Sequence, residues 1–163
     1  VKNISIPLTS NELVAAGTIG VLRRVSSLQN KRADRNLGPS DWSADIDGAA
    51  AEMALAKYLN VFCVPLINSF KAADVDGYQV RSTTRANGRM IIRPDDKDED
   101  DFILVITKAP IFILVGTINC KAGKMDEFWE QDAWWVPQDR LGDLPQQSGQ
   151  ATTEGEALQP PPF

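Results

Sequence analysis

Apolar side chains at Val14, Val21, Val25 and Leu28 fall at helical intervals within "TSNELVAAGTIGVLRRVSSLQNKR". Thr9 stands three residues ahead of Glu12, the spacing of a capping box. Together these signals predict a helix from about Ser10 to Asn30. The next stretch, "ADRNLGPSDWSADID", is dense in turn formers and acids. It reads as a loop with Trp42 folded back onto the core. The strong helix formers of "GAAAEMALAKYLN" predict a second helix from about Gly48 to Leu59.

Beyond the second helix the pattern changes to period two. "AADV" and "YQVRST" flank Asp76-Gly77, "RMIIRP" follows a turn at Asn87-Gly88, and "DFILVITK" and "PIFILVGTI" flank Ala109-Pro110. Two amino-terminal helices ahead of these segments predict an α+β fold, with the helices packed on a mixed, mostly antiparallel sheet of about five strands. "MDEFWEQDAWWVP" reads as a short helix or irregular cap that brings Phe128, Trp129, Trp134 and Trp135 to one edge. From Pro145 onward the chain is rich in Pro, Gln and Gly without apolar period, so residues 1–144 are expected to form one domain and 145–163 an extended or disordered tail.

Composition narrows the chemistry. The 163 residues include no histidine. That excludes Ser-His-Asp hydrolases, Cys-His proteases, zinc deaminases and HExxH peptidases. Hydrolysis would require carboxylates, Lys, Arg, Tyr or a metal held by oxygen, and magnesium suits oxygen ligands. Cys63 and Cys120 lack CxxC spacing and read as core thiols. "FILVIT" and "IFILVGTI" are too short to span a bilayer, and no basic region leads into an apolar stretch at the amino end. The expectation is a soluble cytoplasmic protein without a membrane partner.

The formal charge of −5 is unevenly spread. Outside residues 141–163 and the run "DDKDEDD" (Asp95 to Asp101), the body carries 16 basic and 13 acidic residues. Arg23, Arg24, Lys31, Arg32 and Arg35 cluster near the start, suited either to phosphates or to the solvated face of an amphipathic helix. "DDKDEDD" lacks the glycine and terminal glutamate of an EF-hand, so it reads as a solvated hairpin tip. Lys121 and Lys124 around Gly123 read as a basic turn, and "WW" with Trp129 as packing over a sheet edge or a stacking surface for bases.

The strongest candidate site lies in "DVDGYQVRST". Asp-Gly between two β-type runs predicts a two-residue hairpin turn that pairs Val75 with Tyr78 and Asp74 with Gln79. Directly opposed residues share a face, and Arg81, two residues past Gln79, joins it. Asp74, Gln79 and Arg81 are thus expected as one polar cluster. Glu52 lies within the apolar stripe of the second helix, whereas Lys57 points away. A carboxylate on a core-facing stripe needs a compensating cation, either magnesium or Arg81.

Glu52 in "GAAAEMALAKYL", Asp74 in "DV" and the tripeptide "QVR" resemble the PD-(D/E)XK nuclease superfamily. In that family a glutamate-bearing helix packs on a hairpin carrying Asp and then (Asp/Glu)-x-Lys. "RPDD" from Arg93 and "VPQD" from Val136 are similar to a branch of phage-associated and bacterial proteins, and the resemblance spans roughly Gly48 to Leu144. It implies a restriction-endonuclease-like core and magnesium-dependent (or manganese-dependent) hydrolysis of DNA. Glu52, Asp74 and Gln79 would be the metal ligands, and Arg81 would stabilise the phosphorane charge. Two departures stand out. Gln79 supplies a neutral oxygen, and Arg81 cannot act as a base. The alternative is therefore a catalytically inactive nuclease-like fold that binds nucleic acid, or a phage structural or interaction protein in the virion. A protein partner would then use the carboxyl-terminal aromatic edge and the tail.

Overall fold

The computed structural model describes residues 3–30, 41–63 and 73–147. The sequence expectations for Lys31, Arg32 and Arg35, and for the tail from residue 148, lie outside the described residues. The fold is α+β. Two helices cover one face of a four-stranded sheet, and a three-stranded sheet covers the other.

Helix α1 (Ser10–Gln29) starts at the predicted capping box. The Glu12 amide donates to Thr9 Oγ1 at 3.3 Å, and the Thr9 amide donates to Glu12 Oε2 at 2.6 Å. Its burial is not what the apolar period suggests. Ala16 and Gly20 are buried, whereas Val14, Val21, Val25 and Leu28 are exposed. Close helix packing is the reason: a Cβ on Gly20 would lie 2.5 Å from the Cα of Ile46.

Helix α2 (Asp41–Leu59) therefore begins at Asp41 rather than Gly48. Docking of Ile46 on Gly20, and the approach of Arg24 Nε to Asp45 Oδ2 at 2.7 Å, hold the turn formers in helical geometry. That ion pair lacks hydrogen-bond alignment at those atoms. Trp42 remains 47% exposed instead of folding back onto the core.

Strand β1 (Ile4–Pro7) was too short to show a period. It pairs antiparallel with β5 (Ile111–Asn119), Ile4 opposite Leu114 and Ile6 opposite Phe112. Strand β2 (Tyr78–Thr83) runs parallel to β4 (Asp101–Lys108), and β4 runs antiparallel to β5, giving the order β1-β5-β4-β2. The second sheet is β3 (Met90–Ile92), β7 (Ala133–Val136) and β6 (Trp129–Glu130), in the order β3-β7-β6. The single sheet expected from the sequence is thus two sheets. The unbroken apolar run of β4 reflects burial on both faces. Ile103 and Val105 pack toward the helices, and Phe102, Leu104 and Ile106 toward the small sheet. A register shift between Leu104 and Val105 places a bulge in β5.

The acidic run connects β3 to β4, which lie in different sheets, so it is not a hairpin tip. Asp98 pairs with Lys124 at 2.6 Å. The aromatic segment forms a single 3-10 turn (Asp126–Phe128) followed by the β6–β7 hairpin, with Gln131 and Asp132 at positive φ in its turn. Among the described residues no helix is long and apolar enough to cross a membrane.

Candidate functional site

The predicted turn forms at Asp76 and Gly77, both at positive φ, with Val75 and Tyr78 as an antiparallel bridge. The Asp74 amide donates to the Tyr78 carbonyl at 2.9 Å. The hairpin ladder stops at that bridge, and β2 pairs through its other edge with β4. Asp74 Oδ2 instead accepts the Val80 amide at 2.8 Å, along the edge of β2 that faces away from β4.

Glu52 is 8% exposed on α2, as its place in the apolar stripe implies. Its counter-charge is Arg23 of α1. Nη1 and Nη2 donate to Oε1 and Oε2, each at 2.6 Å, in a two-pronged ion pair. Burial pushes the Glu52 carboxyl above its ordinary range; Arg23 pulls it back, and the neighbouring charge of Asp74 adds to the rise. Burial raises Asp74 as well, opposed first by the Val80 amide and then by Arg81 and Arg23. Cys63 is also raised by burial, with Glu52 adding to it. Glu52 and Asp74 therefore share one electrostatic neighbourhood, centred on Arg23.

The side chains of Gln79 and Arg81 turn away from it, although the Arg81 charge still acts on Asp74. In the parallel register Val80 lies beside Ile103 of the helix-side core, while Gln79 and Arg81 lie beside Phe102 and Leu104. Alternation thus turns Gln79 and Arg81 to the opposite face. Arg81 Nη2 donates to Asp96 Oδ1 and Oδ2 at 2.9 and 3.0 Å, and Nε to the Ile91 carbonyl at 3.3 Å. Its guanidinium carbon sits 4.6 Å from the centre of the Phe102 ring. The expected four-residue cluster is split by the sheet.

Among the described residues no group of three or more Asp, Glu or Cys side chains is placed to hold a metal ion. Both Glu52 oxygens are committed to Arg23, and one Asp74 oxygen to the Val80 amide. In this geometry the donor set does not fit magnesium. Arg23 and Arg24, considered from sequence as phosphate contacts, face Glu52 and Asp45 instead.

A second region has the opposite character. An open cavity of about 540 Å³ is lined by Thr83, Arg85, Asn87, Arg89, Glu130 and Trp135, among others. Arg89 Nη2 donates to Glu130 Oε2 at 2.8 Å and its guanidinium lies 5.6 Å from the centre of the Trp135 ring. Trp135 Nε1 donates to the Glu130 carbonyl at 2.9 Å, which fixes the indole. Gln138 Nε2 donates to the Ala86 and Gly88 carbonyls, each at 2.9 Å, and so clamps the turn between Thr83 and Met90. A side chain at Gly88 would strike Thr83, 2.5 Å from its Cγ2. Among the described residues no acid pairs with the Arg85 guanidinium. Trp129, 4.6 Å from Trp134 in an edge-on arrangement, is half exposed nearby on the same hairpin. The tryptophans carried a signal in the sequence. The arginines of "TRANGR", either side of Asn87-Gly88, were the signal that went unread.

No protein-family model, curated protein or solved structure matches this chain.

Proposed function

We propose that the protein is a non-catalytic binding module for single-stranded nucleic acid, engaged at the edge of the small sheet. The observation that carries this reading is Arg85, a cation with no acidic partner among the described residues, on a cavity walled by Arg89 and Trp135. Arginines that meet phosphates beside aromatic rings that meet bases are the usual parts of such a surface, and stacking on an aromatic side chain contributes about 1–3 kcal/mol per base. Two arginines face one glutamate across this cavity, so its lining is net positive in a chain of net charge −5. The split of Glu52 and Asp74 from Gln79 and Arg81 supports binding over cleavage.

The test is anisotropy of a labelled oligothymidylate at several salt concentrations, run with and without magnesium and followed by gel analysis of the DNA. Binding without magnesium and intact DNA are expected. Arg85→Ala should weaken binding several-fold and reduce the salt slope by about 1. Cleavage that requires magnesium and disappears in Glu52→Gln would replace this reading with the nuclease one. Unchanged affinity in Arg85→Ala would remove the cavity from the interface.

A further inference from the structure

Helix α1 is amphipathic in the reverse sense. Its small residues Ala16 and Gly20 are buried, while Val14, Thr18, Val21, Leu22, Val25 and Leu28 are exposed, Val14 at 70% and Leu28 at 60%. At 3.6 residues per turn these six fall on an arc of roughly 120°. Val14, Thr18, Val21, Val25 and Leu28 alternate spacings of four and three, the seam of a two-helix coiled coil. Every exposed residue of the helix is uncharged. Its two arginines are spent on Glu52 and Asp45, and Glu12 on Lys57.

From this face we infer that the chain forms a homodimer, with the α1 helices of two copies packed antiparallel about a two-fold axis near Val21. This inference is independent of the nucleic-acid reading. An isologous contact sets a surface against itself, so a charge near the two-fold axis would meet its own copy; an uncharged face escapes that penalty. With the axis at Val21, Val14 of one copy lies opposite Leu28 of the other, and opposed helix dipoles favour the antiparallel sense. The face offers roughly 500 Å² per copy, and about 1,000 Å² in total is where specific interfaces begin. A reversible dimer of micromolar strength is expected. A membrane surface fits less well, because an interfacial helix turns basic residues of its own to the headgroups, and those of the described helix, Arg23 and Arg24, are paired with Glu52 and Asp45.

Sedimentation equilibrium over a range of concentrations tests this with the full chain. The wild type should move from monomer to dimer mass, and the double variant V21D/V25D should weaken association at least tenfold. Both positions are exposed, so circular dichroism, and the melting temperature at concentrations where the wild type is monomeric, should stay unchanged, which separates loss of contact from loss of fold. Under mild oxidation V21C should give a disulfide-linked dimer that the wild type does not. A wild type that stays monomeric overturns the inference, and if it instead binds anionic vesicles the face belongs to a membrane. A dimer that persists in V21D/V25D, or a dimeric V21C that fails to cross-link, overturns the interface or its antiparallel register.

Discussion

Two arginine–carboxylate pairs sit on opposite faces of the same sheet, and they differ in what surrounds them rather than in depth. Side-chain exposures are 18% and 11% for Arg23 and Glu52, and 20% and 12% for Arg81 and Asp96. Asp96 has a second donor, the Arg93 amide at 2.7 Å from Oδ2, and Arg81 rests on the Phe102 ring and the Ile91 carbonyl. Glu52 instead has a second acid, Asp74, in its field. Equal burial thus produces one self-sufficient pair and one that depends on a single cation. Charges taken out of water need compensation from every direction, so a lone partner is a point of fragility.

Removing each arginine is the sharpest way to break that symmetry. Arg23→Ala should cost about 3–5 kcal/mol, since it strands Glu52 beside Asp74 in a low-dielectric site. Arg81→Ala should cost about 2 kcal/mol, because Asp96 keeps a backbone donor after its partner is gone. Urea unfolding of the two variants measures both values, and equal losses would dissolve the distinction. The smallest effect belongs to Asp74→Asn, which keeps an acceptor for the Val80 amide while removing the second charge. It should stabilise the protein at neutral pH by about 1 kcal/mol.

The pH dependence has a definite sign. Glu52 and Asp74 are raised above ordinary values of 4.5 and 3.8. A carboxyl raised in the folded state contributes stability that is complete below its ordinary value and is lost as pH rises through the folded one. The advantage of Asp74→Asn should therefore be largest near neutrality and fade as the medium is acidified toward the ordinary carboxyl range. Melting curves of variant and wild type across that range provide the check. The lowered Glu12 and Asp98, which carry the opposite dependence, are common to both proteins and cancel in the difference.

Features set by neighbours in the chain were legible in the sequence. The Thr9 and Glu12 cap, the Asp76-Gly77 turn and the buried setting of Glu52 all follow from short-range rules. What was missed depends on distant contacts. The hairpin ended after one bridge, and the parallel pairing of β2 with β4 turned Arg81 toward the small sheet. Arg23 reaches Glu52 only because Gly20 allows the two helices to meet at Ile46. Apolar period located a stripe on α1 but not its direction, since alanine and glycine supplied the buried side.

Asp74 has one more role, at the rim of the sheet. Strand β2 is an outer strand, and an outer strand offers unpaired amides to any extended segment of another chain. By accepting the Val80 amide, Asp74 fills one rung of that ladder from within, and at the opposite rim β1 is only four residues long and ends in Pro7. The side chain that adds charge beside Glu52 thus occupies an amide that an added strand would need.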